Sequence, residues 1–511
     1  MSIETDSDNC QRTESSRISD LIISIIVCLF IVFFVGFINL LFVHWSLFPI
    51  FVCGVIIGMD AVGWFRSRWD VFDPKGIIGV FGLFFFFVSP LLAIVWEVEV
   101  PYVPNPSDWR PWYGAMACLN ILGLIFYNLF QFMAFNSKKP LKVSHWNIDP
   151  NRAMIVAPVA FLVAFIGQTI FLAAFGGWSG IMDWREYGAG FGIRGMGPFM
   201  LLGHSAPPLL LIVLTIVYMK ERLKKQASIV TVSVVLVAFL VCQFYVSGLQ
   251  GSRSVVVWGL FWAVGIVHFF WRRVTIKMIL VGLIPFLFFM YIYGFYKTLG
   301  RQSFELLTGA ETIENLQVES KRTFKGMLLG DLSRTDIQAA IVYILQGKPY
   351  QYDYRFGKTY LYSAVAYVPY WIFPDKPHSW SKNAAGTEVQ RDKGSYDPYT
   401  PGKKSTRVYG LAGEAMLNFG LFGIIPLFAL WGYFTGRFRR KLLARHSTDA
   451  FLLLVPIFIN LAFITLAGDS DNFVYFLIDK IAVPFVVVRM MCTKQIFFVV
   501  DGNIVEQMGE V

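Results

Sequence analysis

Charge is scarce in this chain. Only 15% of its 511 residues are Asp, Glu, Lys or Arg, against about 25% in a soluble domain. With 56% hydrophobic and 17% aromatic residues and a mean hydropathy of +0.57, the composition excludes an ordinary soluble globular protein. Cysteine is scarce too. The six, Cys10, Cys28, Cys53, Cys118, Cys242 and Cys492, form no CxxC pair and no metal-ligand spacing, so neither a disulfide framework nor a zinc site is implied. A cleavable leader is also missing from the pattern. The apolar run at 21–43 is too long for a signal-peptide core and carries no small-residue cleavage site.

What the chain does have is long apolar runs. Those able to cross about 30 Å of hydrocarbon lie near 21–43, 47–65, 76–96, 114–135, 153–175, 197–219, 228–247, 254–271, 275–296, 410–435, 450–467 and 472–491. The expectation is an all-α polytopic membrane protein with about twelve transmembrane helices. The run at 47–65 is the weakest, because it follows a tight turn and holds Asp60.

The net charge of +10 and pI near 9.2 reflect basic membrane loops rather than nucleic-acid binding. One alternating set of connections collects Arg66, Arg68, Lys138, Lys139, Lys220, Lys224, Arg272, Arg273, Arg437, Arg439 and Arg440 among others. The opposite short connections hold only Arg110, Arg185, Arg194 and Arg253. The positive-inside rule makes the first set cytoplasmic, with both termini. The segments are then a cytoplasmic tail at 1–19, helices one to nine at 20–296, one long extracytoplasmic loop at 297–409, helices ten to twelve at 410–491 and a second cytoplasmic tail at 492–511.

The long loop contains SRTDIQAAIVYILQG at 333–347, where Ile337, Ile341, Ile344 and Leu345 share one helical face. Ser333 is the expected N-cap, with Asp336 three residues on and Arg334 at the first helical position. A helix N-terminus beside an arginine suits a phosphate. The alternative is an amphipathic helix lying on the membrane with Arg334 among headgroups. The following stretch is rich in Tyr and Trp, which fits a bilayer aromatic belt or the apolar faces of sugars.

Glu414, in GLAGEAMLNFGLFG at 410–423, opens the tenth run. A carboxylate there faces the protein interior and needs a partner. It reads as a general base with a pKa raised by burial, or as a salt bridge to Arg407. Asn418 lies one turn on, on the same face. His378, in FPDKPHSW, is a second possible base in a proline-bounded turn. Asp469 and Asp471, in GDSDN, have DxD spacing but sit in a very short turn, and read as a solvated cap.

Four stretches in order, GSRSVVVWGL at 251–260, SRTDIQAAIVYILQG at 333–347, GKTYLYSAVAYVPYWIFPDKP at 357–377 and GLAGEAMLNFGLFGII at 410–425, carry a family likeness. With the helix count and the single long loop, the chain resembles the Wzy-type polymerases of oligosaccharide repeat units that build O-antigen and capsule. The likeness covers the second half; the first half matches only as hydrophobic spans.

The resemblance implies a bacterial inner-membrane glycosyltransferase of GT-C-like architecture, with its active site facing the periplasm. It would transfer a glycan from undecaprenyl diphosphate to the terminal sugar of another lipid-linked repeat, with inversion and with neither metal nor cofactor. Arg253 and Arg334 match the family's motif arginines, which would stabilise the diphosphate leaving group. Glu414 would be the base. Arg194, Asn418, His378 and Tyr360 are the candidates for binding substrate. A chain-length regulator and a flippase are the expected partners, beside the bilayer itself.

Three other functions share parts of this pattern. An O-antigen ligase would use the same donor chemistry. A flippase or transporter would normally show two similar halves, and none is visible. A non-catalytic scaffold would leave Glu414 and the outer arginines unexplained.

Overall fold

The computed structural model describes residues 9–39, 44–100, 106–187, 195–221, 227–248, 253–299, 323–347, 352–369, 372–382, 408–500 and 503–510. Among the described residues, nine helices are long and apolar enough to cross a membrane. The architecture is that of a mainly α-helical polytopic membrane protein. It falls into two compact units, each assembled from separated stretches of chain.

The first unit comprises 1–137, 325–440 and 462–474. It holds the spans Arg17–Val35, Leu47–Phe65, Pro74–Val95, Arg110–Phe135 and most of Leu421–Leu443. Asp60 is accommodated inside its span because Lys75 Nζ lies 3.2 Å from Oδ1, the pairing that an intramembrane carboxylate requires. Helix Arg110–Phe135 meets Leu421–Leu443 at the small-residue pair Gly432 and Gly436. A Cβ there would sit 2.2 Å from Tyr127 O and 2.4 Å from Gln131 O, so only glycine permits this backbone approach.

The segment between the ninth and tenth apolar runs is more than a surface loop. Helix Thr335–Gly347 is embedded in the core of this unit, with Ile337, Ala339, Ala340, Ile341, Val342 and Ile344 all buried. Burial around more than one face disagrees with the alternative of an amphipathic helix lying on a membrane surface. The helix also starts one residue later than predicted. Ser333 Oγ accepts from Thr335 N at 3.0 Å, and Arg334 precedes the first helical residue instead of occupying it.

The tenth run is not one helix. Gly410–Phe419 forms a short helix, ended by Gly420 at φ 76° and ψ −174°, a backbone state open essentially to glycine alone. A single 3₁₀ turn at Leu421–Gly423 leads into Ile424–Leu443. Ten residues rise only about 15 Å, so the Glu414 helix cannot span a bilayer.

The second unit comprises 138–324, 441–461 and 475–511. Its spans are Pro150–Ala174, Gly197–Lys220, Ile229–Ser247 and Ile276–Tyr296. The run predicted at 254–271 appears here as the shorter apolar helix Val255–Trp271, and that at 450–467 as Val455–Ala467, whose residues from 462 on belong to the first unit. The run at 472–491 is helical but interrupted by a π turn at Leu477–Ile481. The unit also departs from a purely helical expectation. β1 (Leu141–Ile148), β2 (Cys492–Val500) and β3 (Asn503–Glu510) form an antiparallel sheet in that order. The C-terminal segment read from sequence as a tail therefore pairs with the chain about 350 residues earlier, for example Leu141 opposite Val499. Fully buried Asp449 pins the sheet, accepting from Trp146 N at 3.2 Å and from Arg445 at 2.5 Å.

Candidate functional site

Glu414 lies in the first unit on the short helix Gly410–Phe419, where every residue from 410 to 418 is buried. It is 2% exposed. Thr359 Oγ1 and Ser470 Oγ donate to its Oε1 at 2.6 and 2.5 Å, and Ser470 N donates to Oε2 at 2.7 Å. One carboxylate thus joins three segments far apart in sequence. Burial, and then the neighbouring Asp469 carboxylate, push Glu414 up to about 7, against hydrogen bonds that favour its ionised form.

Asn418 is one turn further along the same face. Its Nδ2 donates to Thr359 Oγ1 and to Glu414 O, both at 2.8 Å. Its Oδ1 accepts from Gly357 N at 2.9 Å. Gly357 has φ 84° and precedes helix Lys358–Ala366, so Asn418 fixes the turn that delivers Thr359. Asn418 is therefore a supporting residue, fully committed to protein groups. Tyr360, next in that helix, stacks on Phe419 with ring centroids 6.2 Å apart. Its hydroxyl makes no hydrogen bond among the described residues, and burial raises the phenol above its ordinary pKa.

Asp469 corrects the expectation of a solvated cap. It is 2% exposed. Its Oδ1 accepts from Tyr409 N at 2.8 Å and Gly410 N at 2.9 Å, which caps the N-terminus of the Glu414 helix from a remote turn. Its Oδ2 lies 2.7 Å from Lys382 Nζ, which is also 3.4 Å from Asp471 Oδ1. Burial alone would lower the Lys382 pKa; the Asp469 and Asp471 carboxylates overcome that and raise it, so the ammonium stays charged.

Arg334 reaches the same corner. Its Nε donates to Ala467 O at 2.9 Å and its Nη1 to Ser333 O at 2.7 Å. Gln338, on the next turn, donates to Tyr409 O at 2.9 Å. The start of helix Thr335–Gly347 is thereby tied both to the 467–470 turn and to the start of the Glu414 helix. His378 lies on an exposed 3₁₀ turn, His378–Trp380, with Tyr362 Oη 3.3 Å from its Nδ1.

The first unit therefore gathers Glu414, Asn418, Tyr360 and Arg334. Arg253 opens helix Arg253–Ile266 in the second unit, and its side chain lies outside the described residues. Arg194 and Arg407 lie outside them altogether. Sequence reasoning missed Thr359, Ser470 and Lys382, and misjudged Asp469. The polar TY and DSD letters were visible, but nothing local marks which of them meet Glu414. Among the described residues no cluster of His, Cys, Asp and Glu could hold a metal ion.

Comparison of the chain with family models, with curated proteins and with solved structures returned no match.

Proposed function

We propose that this protein is a membrane-embedded glycosyltransferase that polymerises lipid-linked oligosaccharide repeat units. The observation that carries the reading is Glu414: a buried carboxyl held by three donors and pushed up to about 7. That is the range in which a carboxylate is an effective base at neutral pH.

The chemistry is a single displacement. A hydroxyl of the acceptor sugar attacks the anomeric carbon of the donor glycan as its proton passes to Glu414. The new C–O bond forms as the bond to the lipid diphosphate breaks, and the diphosphate leaves with the electron pair. Inversion follows from attack opposite the leaving group. The diphosphate needs cations, and Arg334, beside Glu414's own helix, is the first candidate; Arg253 and Arg194 are further ones. His378 is not needed as the base in this scheme. The resemblance of the SR, KTYLYSAV and GE stretches to Wzy-type polymerases supplies the substrate class and the bacterial inner-membrane location, with the site on the periplasmic side.

The same hydrogen bonds also make Glu414 a clamp for three segments, and its pH dependence separates the two roles. The test is a gel of surface glycan from a strain lacking the protein. Collapse of the ladder to lipid A carrying a single repeat supports the polymerase. Long lipid-linked chains that never reach lipid A would indicate a ligase, and single repeats held on the cytoplasmic face a flippase. Purified protein should then lose rate as pH falls through about 7.

A further inference from the structure

Lys382 is a strange residue to find where it is. Lysine is among the residue types least often fully buried, yet Lys382 is only 7% exposed. Its ammonium touches Asp469 and Asp471 but no group assigned to the transfer itself. Asp469 in turn caps the Glu414 helix through Tyr409 N and Gly410 N, and it directly precedes Ser470, which grips both oxygens of Glu414.

We infer that the Lys382–Asp469 ion pair is a positioning device for Glu414: it fixes the 469–470 turn that holds the carboxylate and sets the net charge that the carboxylate faces. This rests on the reading of Glu414 as the base. Two functions meet in one pair. Geometrically, Asp469 holds the start of the helix with one oxygen and Lys382 with the other. Electrostatically, the corner has three carboxylates, Glu414, Asp469 and Asp471, and Lys382 is the ammonium placed among them.

The groups around Glu414 make the electrostatic prediction signed. Helix Lys358–Ala366 presents Thr359, Tyr360 and Ser363, the last 2.7 Å from Ser470 Oγ. The turn presents Asp469, Ser470 and Asp471; its own helix presents Asn418, and Tyr409 lies just before that helix. Helix Thr335–Gly347 brings Gln338, and Arg334 just before it, to the same corner. Asp469 raises the proton affinity of Glu414, and Lys382 opposes it. Removing Lys382 therefore moves the acid limb of the rate profile to higher pH. Removing the Asp469 charge moves it to lower pH. Removing both returns it near the original position.

The experiment measures polymerisation rate against pH with lipid-linked repeat units and full-length protein in nanodiscs. The variants are Lys382→Met, Asp469→Asn, the two combined, and Lys382→Arg; elution and melting temperature are followed alongside. Limb shifts on the order of one pH unit in opposite directions are expected. The combined variant should be about tenfold faster than the slower single one. If a single variant fails to fold, the charge-neutral double and the charge-keeping Lys382→Arg must both keep the wild-type limb, and a displaced limb in either overturns the inference. Limbs that stay put in every folded single variant, while Glu414→Gln is inactive, overturn the pair's role and leave the base reading intact. An active Glu414→Gln overturns the base reading, and this inference with it.

Discussion

Two buried charged clusters, one in each unit, use the same residue types for different ends. In the second unit His204 Nδ1 is 2.8 Å from Asp479 Oδ1, and Lys480 Nζ is 2.7 Å from Asp479 Oδ2. One carboxylate there has two nitrogen partners. In the first unit Glu414 has hydroxyls and one backbone N–H as partners, and the charged group that acts on it most strongly is another carboxylate, Asp469. A cluster compensated at close range holds helices together. A cluster left with surplus negative charge holds a proton near neutral pH, and that is a chemical property as well as a structural one.

Substitutions can break this contrast. The largest effect is expected at Glu414. Glu414→Gln should lower the polymerisation rate by about 10²–10⁴-fold, the ordinary contribution of a general base, measured as turnover of purified protein. Asp479→Asn should act on stability instead. Removing one partner of a buried ion pair costs about 3–5 kcal/mol, which thermal unfolding in detergent would register, while the acid limb of the rate profile stays where it was.

Gly420→Ala comes next, at roughly 1–3 kcal/mol, because alanine must be forced into the φ 76° state that ends the Glu414 helix. Both melting temperature and rate should fall. Thr359→Val is the mildest. It removes one donor to Glu414 Oε1 and one acceptor for Asn418 Nδ2, costing about 1–2 kcal/mol and moving the acid limb to slightly higher pH.

Stability should respond to pH with the opposite sign to activity. The folded protein keeps the Glu414 proton up to about 7, whereas the ordinary glutamate value is 4.5. Between those values the folded state binds the extra proton, so this group's contribution to stability declines as pH rises across that window. Turnover rises over the same upper range, because only the ionised form accepts a proton. Melting temperature and rate measured on one pH series would show the two trends crossing; a parallel rise would sink the assignment of the limb to Glu414.

Hydropathy is a sum over neighbours in the chain, and so the apolar runs, and the need of Asp60 and Glu414 for partners, could be read from the sequence alone. The spacing of Glu414 and Asn418 at i and i+4 was legible for the same reason: a helix repeats every few residues. Their partners were not. Thr359 and Ser470 reach Glu414 across 55 and 56 residues, and Asp469 reaches Tyr409 N across 60. Lys382 looked like any loop lysine, and Asp469 like any turn aspartate, until burial removed the water that would have made them so. The pairing of the C-terminal strands with Leu141–Ile148 likewise depends on packing between distant segments. Sequence by itself determined where the chain can enter hydrocarbon and which carboxylate would be costly there. Only the tertiary structure decided which charges meet, because contact between remote side chains, and the desolvation it brings, is not encoded in any local window.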